Sequence, residues 1–103
     1  MREKKSNEEL KNMFNLVGKN AVITGAAGAL GSTVSKGLAL QGVNIALCDL
    51  DIDKLEPLAG EIRQLGVKAL PVLCDVTVEQ TCNDMVQAVV SELGGIDILF
   101  NGG

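Results

Sequence analysis

Histidine, tyrosine and tryptophan are absent from this chain, and two phenylalanines supply all of its aromatic surface. Without rings to stack on bases, and with a formal net charge of −4, it is poorly equipped for nucleic acid, and none is expected as a partner. Cys48, Cys74 and Cys82 form no C-x-x-C pair, so with histidine missing the usual zinc ligands are lacking and no metal site is expected. An odd number of cysteines points to reduced thiols and a cytoplasmic location. No run of about 18 apolar residues occurs, and the opening MREKKSNEELKNMF has no apolar signal core, so neither a membrane partner nor secretion is expected. With 103 residues there is room for one modest hydrophobic core and no second domain.

What is present is an alternation of short apolar runs with longer amphipathic ones. Residues 1–14 read as an appendage in which Ser6 and Glu9 fit a capping box and Leu10, Met13 and Phe14 line one side of a short helix. Residues 15–103 then form one domain. AVIT (21–24), VNIALCD (43–49), VKALPVLCD (67–75) and GGIDILFN (94–101) read as strands. Between them, Leu30, Val34, Leu38 and Gln41 fall at helical spacing, as do Leu55, Leu58, Ala59, Ile62 and Leu65, with Gly42 and Gly66 as stop signals. Pro57 predicts an irregular first turn in the second of these helices. Thr77 and Gln80 read as a capping box before a helix whose buried stripe is Met85, Val86, Val89, Val90 and Leu93. Pro71, which has no N–H to donate, places the third strand at a sheet edge. Such alternation predicts an α/β fold with a parallel sheet, right-handed crossovers and helices on both faces.

The chemistry concentrates in AVITGAAGALG (21–31). A sharp strand-to-helix turn needs unusual φ/ψ, close approach of a phosphate needs a missing Cβ, and tight helix–strand packing needs another. Gly25, Gly28 and Gly31 are spaced for these roles, and N–H groups of the first helical turn, around Leu30 to Ser32, would face the anion. Glycines that merely permit a tight turn remain the plain alternative. Asp49 ends the second strand 24 positions after Gly25, where a carboxylate would accept hydrogen bonds from ribose hydroxyls and repel a 2′-phosphate. Leu50, not Arg or Lys, follows it, which favours NAD over NADP.

TGAAGALG (24–31), CDV (74–76) and DILFNGG (97–103) resemble, in order, the TGxxxGxG loop, the adenine-contacting Asp-Val element and the NNAG strand end of the short-chain dehydrogenase/reductase family. The resemblance covers residues 15–103 and implies the N-terminal half of a Rossmann-like sheet with strand order 3-2-1-4. It departs from the pattern at Ala29, where the family has its middle glycine, and at Gly102, which replaces the second asparagine. The lead-in NLVGKNAVITG is also similar to the family's sugar-acid oxidoreductases of mannonate and gluconate type.

By that resemblance Gly25, Ala27, Gly28, Leu30 and Gly31 would line the diphosphate of NAD, Asp49 and Leu50 the adenosine ribose, Asp75 and Val76 the adenine, and Asn101 and Gly102 the nicotinamide side. An Asp75 that only stabilises the turn into the next helix is the structural alternative. The family's catalytic serine and YxxxK pair lie downstream of the asparagine motif, so the chain alone is expected to hold a dinucleotide without turning over substrate. In the implied strand order the fourth strand is an uncovered edge, which predicts self-association or pairing with a missing C-terminal half, and a homo-oligomeric parent. A complete, non-catalytic dinucleotide-binding or interaction module and a methyltransferase-like nucleotide fold are the competing readings.

Overall fold

The computed structural model describes residues 15–102. The capping box and short helix expected within residues 1–14 lie outside them, as does Gly103. The chain runs β1 (Asn20–Thr24), α1 (Ala29–Leu40), β2 (Asn44–Asp49), α2 (Ile52–Arg63), β3 (Ala69–Leu73), α3 (Glu79–Leu93) and β4 (Ile98–Asn101). The strands pair in parallel in the order β3-β2-β1-β4, the order implied by the family resemblance.

Alternation along the strands divides the core between two faces. Ala21 and Ile23 of β1 and Ile45 and Leu47 of β2 pack beneath α1 and α2, against Ala39, Leu55, Leu58, Ala59 and Ile62. Val22, Ala46 and Cys48 face the other way and meet Met85 and Val89 of α3. Complete burial of a side chain such as Ile23 or Leu55 contributes ~1.5–3 kcal/mol, so β1 and β2, covered on both sides, anchor the domain. Pro71 lies opposite Leu47 on the edge strand, as its missing N–H requires.

The beginnings of the four strands are tied together by one polar chain. The Asn20 N–H donates to Asp97 Oδ2 at 2.9 Å, and the Asp97 N–H returns a bond to the Asn20 carbonyl at 2.8 Å. Asn20 Nδ2 donates to the Leu93 carbonyl, Asn44 Nδ2 to Asn20 Oδ1, and the Lys68 N–H to Asn44 Oδ1, each at 3.0 Å. Asn20 is buried, so these bonds satisfy groups that would otherwise be costly to desolvate, and they pin the strand register at the end opposite the glycine loop.

Several local expectations are corrected. Leu30 is 61% exposed; the fully buried positions of α1 are the small residues Gly31, Ser35 and Ala39, which let the helix sit close, while Val34 and Leu38 pack against the core as expected. α2 continues through Pro57, which falls in its second turn and removes one ladder bond without disturbing the first. Leu65 lies beyond α2 and is exposed. The box of Thr77 and Gln80 does not form: α3 starts at Glu79 behind Val78, and Gln80 Nε2 instead donates to Asp84 Oδ1 at 2.8 Å. Val86 and Val90 are exposed beside the buried Met85 and Val89.

Candidate functional site

The carboxyl ends of all four strands emerge on one side of the sheet, where open parallel sheets bind ligands. The turn out of β1 is held by main-chain bonds: Ala26 N–H to the Cys48 carbonyl and Gly28 N–H to the Gly25 carbonyl, both 3.1 Å. Gly25 adopts φ +64°, which side-chain-bearing residues rarely take. A Cβ on Gly31 would lie 2.3 Å from the Gly25 carbonyl oxygen, so only glycine lets α1 meet this turn. Gly28 is less restricted, with a hypothetical Cβ 3.3 Å from the same oxygen, and serves as the N-cap of α1.

The first turn of α1 has neither a side-chain cap nor an acid, whereas α2 is capped by Asp51, whose carboxylate accepts from the Asp53 N–H. A helix leaves its earliest N–H groups without helical partners. In α1 these belong to Ala29, Leu30 and Gly31; the Ser32 N–H, expected among them, is taken by the Gly28 carbonyl at 2.9 Å.

Opposite the loop stands Asp49, at the end of β2. Its Oδ2 accepts from the Ala27 N–H at 2.9 Å and its Oδ1 from the Leu50 N–H at 2.7 Å, so the carboxylate is fixed before any ligand arrives. Beyond it opens a cleft of about 200 Å³ lined by Thr24, Gly25, Asp49, Leu50, Cys74, Asp75, Val76, Thr77 and Asn101. Whole-ligand pockets usually span about 300–1,000 Å³, so this one suits part of a larger ligand. Leu50 and Val76 are exposed at its rim and offer two apolar surfaces to a flat ring. The lining includes the carboxylates of Asp49 and Asp75 and no cationic side chain.

Asp75 is used by its own turn. The Thr77 hydroxyl and the Thr77 N–H, the latter at 3.0 Å, both donate to Asp75 Oδ1 and hold the carboxyl below the usual carboxylate range, the hydroxyl contributing most. Thr81 reinforces the turn, its Oγ1 accepting from the Asp75 N–H at 3.1 Å and donating to the Asp75 carbonyl at 2.6 Å. Behind the cleft, burial first of all, and then the charges of Cys74, Asp49 and Cys82, push the Cys48 thiol up to about 12. Burial also raises Cys74. Neither thiol ionises near neutrality, and all three cysteines are free.

Of the residues singled out in the sequence, Gly25, Asp49, Leu50, Asp75, Val76 and Asn101 share the cleft. Ala27, Gly28, Leu30 and Gly31 form the adjoining loop and helix start instead. Gly102 sits behind them: its N–H bonds to the Thr24 carbonyl at 2.9 Å, and a Cβ there would be 3.0 Å from that oxygen and 3.3 Å from the Gly31 Cα. The glycine that replaces the family's asparagine thus matches a tight crossing of two chain segments. Thr24, not singled out, and Thr77, read only as a helix cap, also line the cleft; Thr24 Oγ1 donates to Asn101 Oδ1 at 2.8 Å, a pairing of residues 77 apart that local patterns do not reveal.

Comparison with known proteins agrees with this geometry. Residues 19–103 match the family model described as short chain dehydrogenase. The 7alpha-hydroxysteroid dehydrogenase of Escherichia coli (strain K12) is 36% identical over 94 residues, which cover 86% of this chain and 37% of that protein. Among solved structures, an NAD+-bound xylitol dehydrogenase superposes with a TM-score of 0.79 at 38% identity, over 82% of this chain and 32% of its own. The L-sorbose reductase of Gluconobacter frateurii, complexed with NADPH and L-sorbose, superposes with a TM-score of 0.79 at 35% identity, over 82% and 33%. The chain therefore spans about a third of the length of these relatives. Among the described residues, no helix is long and apolar enough to cross a membrane. Sheet order, glycine loop and sequence agree, and the chain belongs to the short-chain dehydrogenase family.

Proposed function

We propose that this chain is the NAD-binding portion of an oxidoreductase that interconverts a secondary alcohol and a ketone. When bound, the nicotinamide nucleotide would supply the hydride acceptor or donor. The residues present fit such a group. Gly28 and Gly31 keep the loop free of side chains, and the amides of Ala29, Leu30 and Gly31 face a diphosphate with the helix dipole behind them. Leu50 and Val76 would flank the adenine, with Asp75 and Thr77 along its edge. Asn101, steadied by Thr24, and Gly102 would border the nicotinamide ribose.

The preference for NAD is carried by one observation: a prefixed Asp49 carboxylate at the cleft, with no cation beside it to receive a 2′-phosphate. Calorimetric titration with NAD, NADP and S-adenosylmethionine tests it. Saturable binding of NAD, at least ten-fold tighter than NADP, is expected; tighter NADP or S-adenosylmethionine binding would overturn the assignment.

The chain has no tyrosine, so we propose that these 103 residues bind the nucleotide without turnover and that the parent protein's serine, tyrosine and lysine act from beyond them. Sugar acids are the substrate class to try first on that parent. The missing tyrosine equally favours a non-catalytic dinucleotide module; activity of the longer protein on a secondary alcohol would exclude that alternative. Reduced thiols suit the cytoplasm. The free edge of β4, where Leu99 is 68% exposed, is assigned to a further strand and helix, from a longer chain or from a second copy.

A further inference from the structure

An asparagine followed by glycine is chemically labile. With no side chain in the way, the glycine nitrogen can reach the carboxamide carbon, and loss of ammonia closes a succinimide ring that water then opens. Of the seven asparagines in the chain, Asn101 alone precedes a glycine. It lines the cleft and is exposed, so water reaches it. Packing requires the glycine: a Cβ on Gly102 would lie 3.0 Å from the Thr24 carbonyl oxygen and 3.1 Å from the Phe100 ring. The close crossing that admits only glycine at 102 thereby creates the reactive pair.

Within the fold one residue holds both reacting groups. The Thr24 carbonyl accepts from the Gly102 N–H at 2.9 Å and so engages the proton that the nitrogen must lose. The Thr24 hydroxyl donates to Asn101 Oδ1 at 2.8 Å and fixes the carboxamide. Asn101 pairs with Thr24 in the parallel ladder, where ψ is about +115°, and ring closure needs ψ turned to the other side. β4, however, is a strand of four residues at the sheet edge, and such segments open locally far more readily than the core unfolds.

We propose that Asn101 is a site of spontaneous backbone rearrangement, held in check by Thr24 and reached when β4 opens from β1. The Gly102 nitrogen bonds to Asn101 Cγ, the Cγ–Nδ2 bond breaks, and the proton of the Gly102 nitrogen leaves with the ammonia. Water adds to either ring carbonyl and gives aspartate or isoaspartate; no electrons are transferred. Both products bring a further carboxylate into a cleft that already holds Asp49 and Asp75 and no cation, and isoaspartate also adds a methylene to the main chain. On the dinucleotide reading, which this consequence rests on, the modified chain repels its anionic nucleotide.

The test incubates the full chain, folded and in urea, beside its Thr24→Val and Thr24→Ser variants in mildly alkaline buffer. Mass spectrometry of the digested protein reads the exchange of amide for acid at each asparagine, and circular dichroism checks that the variants fold. Because only the opened form reacts, conversion at Asn101 should be at least about ten-fold slower in the folded chain than in urea. Thr24→Val keeps the carbonyl and loses the hydroxyl, so it should convert several-fold faster than the unaltered fold, with Thr24→Ser matching the latter. Asn20 and Asn44, followed by alanine and isoleucine, should stay intact. Absence of conversion in urea would refute the site. Equal rates in the folded and unfolded chain, or a folded Thr24→Val that converts no faster than the unaltered chain, would refute the hold of Thr24. Asn101→Asp, which carries the charge of the product, should bind NAD about five-fold more weakly, and unchanged affinity would refute the consequence for binding. If the unaltered chain rearranges as described yet binds no NAD, the dinucleotide reading fails and the modification site stands.

Discussion

Gly31→Ala is the most demanding single perturbation of the turn on which the site is built. The added methyl would sit 2.3 Å from the Gly25 carbonyl oxygen and 2.9 Å from both the Gly25 carbonyl carbon and the Ala26 Cα. All three are backbone atoms of a segment pinned by its bonds to Cys48 and Gly28, so no side chain can swing aside. Overpacking of this kind costs about 1–3 kcal/mol, and a rigid backbone puts it at the upper end. The intrinsic helix preference for alanine returns up to about 1 kcal/mol, leaving a net loss of roughly 2 kcal/mol. For a domain of this size that corresponds to a fall in Tm of about 8–16 °C. Gly37 lies six residues on in the same helix, and a Cβ there meets nothing within 4 Å. Gly37→Ala should therefore stabilise by about 0.5–1 kcal/mol. Thermal unfolding followed by circular dichroism reads both. Equal stability of Gly31→Ala and the unaltered chain, or loss of stability in Gly37→Ala, would refute the close approach of α1 to the turn.

Further outcomes follow from the same contacts. Asn20→Ala breaks the polar chain across the strand starts and leaves the Leu93 carbonyl and the Asn44 amide short of a partner; a loss of about 1–3 kcal/mol in urea unfolding is expected, and a change within error would contradict the network. In the folded protein Cys82, the most accessible thiol, should react first with a disulfide reagent at neutral pH, with Cys48 and Cys74 reacting only on unfolding; rapid modification of all three would argue against their burial. Folding raises the Cys48 thiol from 9.0 to about 12, so the folded state holds its proton more tightly, and stability present below pH 9 should be lost as pH rises toward 12. Cys48→Ala should flatten the alkaline limb of the stability curve. Light scattering should find the 103-residue chain associated at micromolar concentration through β4, and a charge at Leu99, as in Leu99→Lys, should reduce that association; a monodisperse monomer would weigh against the proposed edge contact.

The succession of elements was legible because each strand is a compact apolar run and the first two helices carry stop signals, Gly42 and Gly66 taking φ of +87° and +92°; Gly94, read as the start of the fourth strand, is instead the left-handed cap of α3, and the strand order itself came from the family resemblance. Reading large apolar residues served α1 only in part: Val34 and Leu38 pack against the core, but the fully buried positions are Gly31, Ser35 and Ala39, and Leu30 is exposed. Smallness rather than hydrophobicity determines that face, because the helix must reach the turn at Gly25. The capping box at Thr77 was misread for a different reason: the hydroxyl has a nearer charged acceptor in Asp75, and a charge-assisted bond wins over a cap. Val86 and Val90 fit the helical period of α3 but are exposed, and the period alone does not say how much of a helix the sheet reaches. Glycine spacing and the carboxylate after β2 located the loop and Asp49. The bonds from Ala27 and Leu50 to that carboxylate depend on how two distant turns meet.

In the proposed complex the first-turn amides of α1 receive a diphosphate. Titration of the isotope-labelled chain with NAD, read at the backbone resonances of Ala29, Leu30 and Gly31, addresses it most directly. Saturating shifts at these three positions, with smaller ones at Leu50 and Val76, are expected. Saturation elsewhere on the surface with these amides unmoved, or no saturation up to millimolar NAD, would contradict it.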